Sequence, residues 1–141
     1  MFEGYQSELD VAKICEKWGI ENWSLVDGLV SVDGDVDLSY YGLTELPLKF
    51  GTVTGNFDCS DNRLRSLVGC PIRVGEWFDC SNNRLTSLVG CPRSVGDYFY
   101  CSCNNIREFT GIKYIGGQLW CAINPISNIW KVISPNEGWN E

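Results

Sequence analysis

Apolar positions along this chain fall into columns. Leu38, Cys59, Cys80, Cys101 and Cys121 align as anchors, spaced 21 residues apart with one fewer in the last step. Two positions earlier stand Val36, Phe57, Phe78, Phe99 and Leu119, and six earlier stand Val32, Val53, Val74, Val95 and Ile115. Five positions later come Leu43, Leu64, Leu85, Ile106 and Ile126, and eight later Leu46, Leu67, Leu88, Phe109 and Ile129. Three after the anchor stand Asn62, Asn83, Asn104 and Asn124, where the first unit has Tyr41. Self-similarity at a fixed period marks a solenoid, in which each repeat is one structural unit stacked on its neighbours. Around each anchor the chain alternates with period two, as in "EWFDCS". Phe78 and Cys80 therefore face one way on a short strand, and Trp77, Asp79 and Ser81 the other. Such strands stack in parallel about 4.8 Å apart. The Asn column is placed to bond free backbone groups where the chain turns, and Gly-Cys-Pro and Val-Gly pairs then turn the return side.

The pattern apolar-x-apolar-x-x-Asn-x-apolar-x-x-apolar resembles the leucine-rich repeat, whose period is about 20–29 residues. The resemblance covers about residues 33 to 130, with Phe in place of one strand leucine and Cys in place of the other. The form "DCSNNRLTSL" followed by "GCP" and "VG" is also similar to short Cys-containing repeat proteins of tailed bacteriophages. The first resemblance implies a surface used for recognition. The second implies a host protein as partner, such as a defence component, with this chain as its inhibitor.

The ends of a solenoid expose apolar surface and need covering. Ser7 suits a helix N-cap with Asp10 in the first turn, and Val11, Ile14, Cys15 and Trp18 make one apolar helix face that Gly19 ends. In "WSLVDGLVSV", two apolar stretches flank Asp27-Gly28, a hairpin signal. Residues 1–32 thus read as a helix-and-hairpin cap, and residues 33–124 as the solenoid. Residues 125–141 read as a C-terminal helical cap, with Ile126, Ile129, Trp130 and Ile133 at helical spacing, and a frayed tail unless Trp139 docks. The expected fold is an α+β repeat solenoid, a single domain built on one short parallel sheet of about five units.

Composition narrows the function. A chain of 141 residues is long enough for one domain with a real core. Its net charge of −7 argues against a nucleic-acid binder and fits a protein partner with a basic or mixed surface. No apolar run approaches the roughly 18 residues of a membrane span, and the acidic, polar start "MFEGYQSELD" reads as no signal peptide. A cytoplasmic location with reduced thiols is expected. With no histidine in the chain, Ser/His/Asp triads, Cys/His pairs and His-containing metal sites are excluded.

Eight cysteines invite a chemical reading that the repeat opposes. Cys59, Cys80, Cys101 and Cys121 lie one per strand, with the outer two about 14 Å apart, so they cannot converge on one zinc. Disulfides between stacked cysteines have a permitted separation, but parallel side-chain directions would strain them. The reading adopted is a column of small buried hydrophobes, with Cys70 and Cys91 forming a second column. Cys103 aligns with Tyr40, Asp61 and Asn82 and is expected to be exposed.

The outward positions hold the candidate site. One column reads Asp37, Asp58, Asp79, Tyr100, Trp120; the next reads Asp35, Asn56, Trp77, Tyr98, Gln118; a third reads Ser39, Ser60, Ser81, Ser102, Ala122. Stacked aspartates repel, which should raise at least one pKa. The face reads as a docking surface for a protein partner, with Asp37, Asp58 and Asp79 expected to receive Lys or Arg and Trp77, Tyr98, Tyr100 and Trp120 expected as aromatic anchors. An acidic protein also carries solvated carboxylates for no further reason. A standard interface takes about 800 Å² per partner, so the rim residues Tyr40, Asp61, Arg63, Asn82 and Arg84 would have to join. Two other functions are weighed: an acidic nucleic-acid mimic, and an enzyme using Asp58 and Asp79 as a carboxylate pair. No phosphate loop or nucleophile elbow supports catalysis, the Asp row lacks calcium-loop spacing, and no cofactor is expected.

Overall fold

A computed structural model describes residues 7–125. The chain winds into a parallel-strand solenoid of about four turns, with a single helix among the described residues. That helix, α1 (Glu8–Trp18), starts where Ser7 Oγ accepts the Asp10 N–H at 3.2 Å. It stops at Gly19, whose φ of 69° lets the Ile20 N–H return to the Cys15 carbonyl. Val11 and Cys15 are buried, and Ile14 and Trp18 pack against the same core. Strands β1 (Trp23–Val26) and β2 (Leu29–Val32) form the expected antiparallel hairpin. Asp27 and Gly28 both have positive φ, as a two-residue turn of the I′ type requires.

The expectation of one sheet is corrected: the solenoid carries two. Strands β3 (Val36–Asp37), β5 (Phe57–Asp58), β7 (Phe78–Asp79), β9 (Phe99–Tyr100) and β11 (Leu119–Trp120) form one parallel sheet. Strands β4 (Phe50–Val53), β6 (Arg73–Val74), β8 (Ser94–Val95) and β10 (Tyr114–Ile115) form a second, which begins with the hairpin. There β2 pairs parallel with β4, so the hairpin is continuous with the solenoid rather than laid across its end. The valine column six residues before each anchor is the inward face of this second sheet, and Val53, Val74, Val95 and Ile115 are all buried.

Glycines make the corner between the two sheets. A Cβ on Gly75 would collide with the Thr54 carbonyl oxygen, one on Gly96 with that of Gly75, and one on Gly116 with that of Gly96. Successive coils thus approach backbone to backbone, which only glycine permits. Inside, Phe50, Phe57, Phe78 and Phe99 form a continuous file with ring centroids 5.1, 6.0 and 5.0 Å apart. Leu64, Leu67, Leu85, Leu88 and Ile106 complete the interior, fully buried.

The Asn ladder forms as the sequence predicts. Asn83 donates through Nδ2 to the carbonyls of Cys59 and Cys80 at 3.0 and 3.1 Å, and its Oδ1 accepts from the Leu64 N–H. Asn62 receives the N–H groups of Tyr41 and Leu43, so the unit that lacks an asparagine is served by the next one. Just before this column runs a row of left-handed residues: Tyr40, Asp61, Asn82, Cys103 and Ile123, with φ of 63°, 56°, 56°, 59° and 57°. Exposure is expected of Tyr40, Asp61, Asn82 and Cys103, and it holds for Tyr40 and Asn82, whereas Asp61 and Cys103 are half-buried. The C-terminal helix expected at Ile126, Ile129, Trp130 and Ile133 lies outside the described residues, as does Trp139. Among the described residues no helix is long and apolar enough to cross a membrane.

Candidate protein-docking face

Register in the five-stranded sheet places Asp37 beside Asp58, Asp58 beside Asp79, Asp79 beside Tyr100, and Tyr100 beside Trp120. The outward column is therefore the one expected from the repeat. Its two ends differ in what holds them. Asp37 Oδ1 accepts from both the Ser39 N–H and hydroxyl, at 3.0 and 2.6 Å. Asp58 Oδ1 takes the same pair from Ser60, at 2.9 and 2.6 Å. Asp79 Oδ1 accepts the Ser81 N–H at 2.9 Å. Each aspartate thus closes an Asx turn as its strand ends, a local role found in many turns. The sequence columns contained both partners, but their meaning lies in this pairing.

At the other end the aromatic residues form one contiguous cluster. Tyr100 is its centre, with ring centroids 6.2 Å from Trp77, 5.9 Å from Tyr98 and 6.4 Å from Trp120. The first two contacts are edge-to-face and the third is stacked, both favourable aromatic geometries. Tyr98 is 37% exposed and Trp120 49%, while Trp77 and Tyr100 are half-buried. No interior demand accounts for this group, since its members lie on the outward side of a sheet whose inward side is already filled.

Electrostatics follow the same division. Burial holds the Asp79 carboxyl above its ordinary value; the Ser81 hydrogen bonds pull it down, and Asp58 and Asp61 push it up again. Repulsion within the row, the cause expected from the sequence, is real but comes after desolvation. Burial also raises the Tyr100 phenol, followed by the nearness of Tyr98, Asp79 and Asp97. On the rim, the charge of nearby Asp61 is the first cause that raises the phenol of the exposed Tyr40. Arg63, Asn82 and Arg84 are exposed on the same rim.

The cysteines lie off the strand columns of this face, and only Cys103 stands in the row on its rim. All eight are free; Cys15, Cys59, Cys70, Cys80 and Cys101 are buried, and Cys91, Cys103 and Cys121 half-buried. Burial pushes the Cys91 thiol up to about 12 and those of Cys70, Cys80 and Cys101 well above the usual thiol range. Thiols held protonated in this way are poor nucleophiles. Among the described residues no group of three or more Cys, Asp or Glu is arranged to hold a metal ion. The return turns expose Val68 and Val89, an apolar pair that sequence reasoning missed.

No protein-family profile, curated protein or solved structure matches this chain.

Proposed function

We propose that this chain is a non-catalytic protein-binding module that docks its partner on the acidic and aromatic face of the five-stranded sheet. One observation carries the reading: three large aromatic side chains, Trp77, Tyr98 and Trp120, gather round a fourth, Tyr100, on an outward surface. Trp and Tyr are among the residues that most often dominate binding energy, and a contiguous, partly exposed patch of them marks an interaction site. The partner class implied by the phage resemblance, a host protein inhibited by this chain, belongs to the same proposal. So does the finer division of the fold, with about five leucine-rich-repeat-like units and the helix and hairpin as N-terminal cap. Burial of Val11, Cys15 and Ile20 in the shared core supports that cap.

Nucleic-acid mimicry is less favoured. It needs a continuous row of carboxylates, whereas the row stops at Asp79 and Tyr100 and Trp120 take the same slot on the next two strands. The test is affinity capture from host lysate with the wild type and a Trp77→Ala/Tyr100→Ala double variant, both checked by thermal melt. A protein retained by the first and lost by the second supports the face. The same set retained by both would overturn it.

A further inference from the structure

The strand columns of the docking face are electrostatically one-sided, and Arg63 and Arg84 stand on the rim beyond them. Its three outward columns and the adjoining corner carry Asp35, Asp37, Asp58, Glu76, Asp79 and Asp97, and no Lys or Arg occupies any of those positions. The faces of the aromatic rings add negative quadrupole potential. Asp79 is the register neighbour of Tyr100, and the fields of Asp79 and Asp97 both reach the Tyr100 phenol. Rings and carboxylates therefore favour a positive charge at the same place. Two cations are available in a protein partner, and they differ in how they would use it. An ammonium is compact and strongly hydrated, and gains from the carboxylates but little from the ring planes. A guanidinium is flat, weakly hydrated, stacks on Trp and Tyr, and can reach a carboxylate edge-on at the same time. Ser81 uses only part of the acceptor capacity of Asp79, since a carboxylate offers about four lone-pair sites.

We propose that the group this face reads is an arginine side chain of the partner protein, laid against Tyr100 and Trp120 and held by the Asp79 carboxylate. The proposal rests on the docking-face reading above and specifies its ligand chemistry. It distinguishes this end of the sheet from the Asp37 end, where the outward slot of neighbouring strands holds aspartate beside aspartate.

The test uses the full chain and two kinds of probe. A displayed random peptide library is selected on the wild type and counter-selected on the Trp77→Ala/Tyr100→Ala double variant. In parallel, labelled octa-arginine and octa-lysine peptides are titrated by fluorescence anisotropy into the wild type, Trp120→Ala and Asp79→Asn, each checked by thermal melt. The expected results are arginine enrichment among the selected peptides and tighter binding of octa-arginine by about three- to tenfold. That preference should disappear in Trp120→Ala, and Asp79→Asn should weaken both peptides. Equal affinity for the two peptides, or selected peptides that need the aromatic cluster but lack arginine, would overturn arginine while leaving the docking face standing. Selected peptides that bind the double variant as well as the wild type, or none at all, would overturn both.

Discussion

The first three strands of the five-stranded sheet and the last two fill one outward slot with different chemistry. Asp37, Asp58 and Asp79 occupy it in β3, β5 and β7, and each is bonded to the serine two residues on. Tyr100 and Trp120 occupy it in β9 and β11, where Ser102 has lost its acidic acceptor and Ala122 has replaced the serine altogether. The backbone is the same throughout, so the slot does not require an aspartate. The fold accounts for the acidic end, where each side chain finishes its own turn. It does not account for the aromatic end, and that is where recognition is best sought.

The largest expected effect ignores the division, and so calibrates it. Asn62 under the acidic end and Asn104 under the aromatic end make five hydrogen bonds each to backbone groups. Replacing either by alanine leaves several buried donors and acceptors unpaired, at about 1–3 kcal/mol for each one that water cannot reach. Asn62→Ala and Asn104→Ala should each lose about 3–5 kcal/mol in urea denaturation, and by similar amounts. A loss under about 1 kcal/mol in either would show that the ladder is not what joins the coils.

The next effect should separate the two ends. Asp58→Ala strands the N–H and hydroxyl of Ser60, which is buried, and should cost about 1–2 kcal/mol of stability. Trp120→Ala removes a half-exposed ring with one stacked neighbour and should change stability by less than about 1 kcal/mol, while weakening partner binding at least about tenfold. The measurements are melting temperature and partner affinity on both variants. If Asp58→Ala spares stability and removes binding instead, the assignment of roles to the two ends is reversed.

Much of this was legible in the sequence, because a repeat displays its own register. The anchor column, the Asn ladder, the helix with its Ser7 cap and the Asp27-Gly28 turn all follow from spacing and residue type. The second sheet was not legible. Two-residue strands such as Arg73–Val74 and Ser94–Val95 are too short for an alternation to show, and only their pairing with each other and with the strands on either side defines them. The Asp–Ser bonds were also hidden. An acidic column and a serine column were visible side by side, but a hydrogen bond depends on where the strand ends. The grouping of Trp77, Tyr98, Tyr100 and Trp120 was visible, since adjacent columns on one face must touch.

A smaller effect tests the left-handed row that borders the face. Asp61 and Asn82 tolerate positive φ, because short polar side chains can bond locally, whereas a β-branched residue there is strained. Ile123 has φ of 57° and is 76% exposed, so its side chain gains little from burial to offset that strain. Ile123→Asn should therefore stabilise the aromatic end by about 1 kcal/mol, seen as a higher urea midpoint with an unchanged slope. A lower midpoint would mean that Ile123 makes a contact worth more than its backbone costs.

The smallest effect is a change in pH dependence at the boundary between the two ends. Burial, with Asp58 and Asp61, keeps the Asp79 carboxyl above its ordinary value despite the bonds from Ser81. The folded chain therefore holds this proton more tightly than the unfolded chain does. Between the ordinary value and the raised one, folding takes up a proton, so this group's contribution to stability falls as pH rises through that window and is level on either side. Asp79→Asn retains an oxygen for the Ser81 N–H and has no charge to desolvate. Wild type and variant should be equally stable at the acid edge of the window, with the variant drawing ahead as pH rises and holding a constant lead above it. Stability curves that stay parallel across the window would mean that the fold does not desolvate the Asp79 carboxyl, and that the change in chemistry along the sheet begins only at Tyr100.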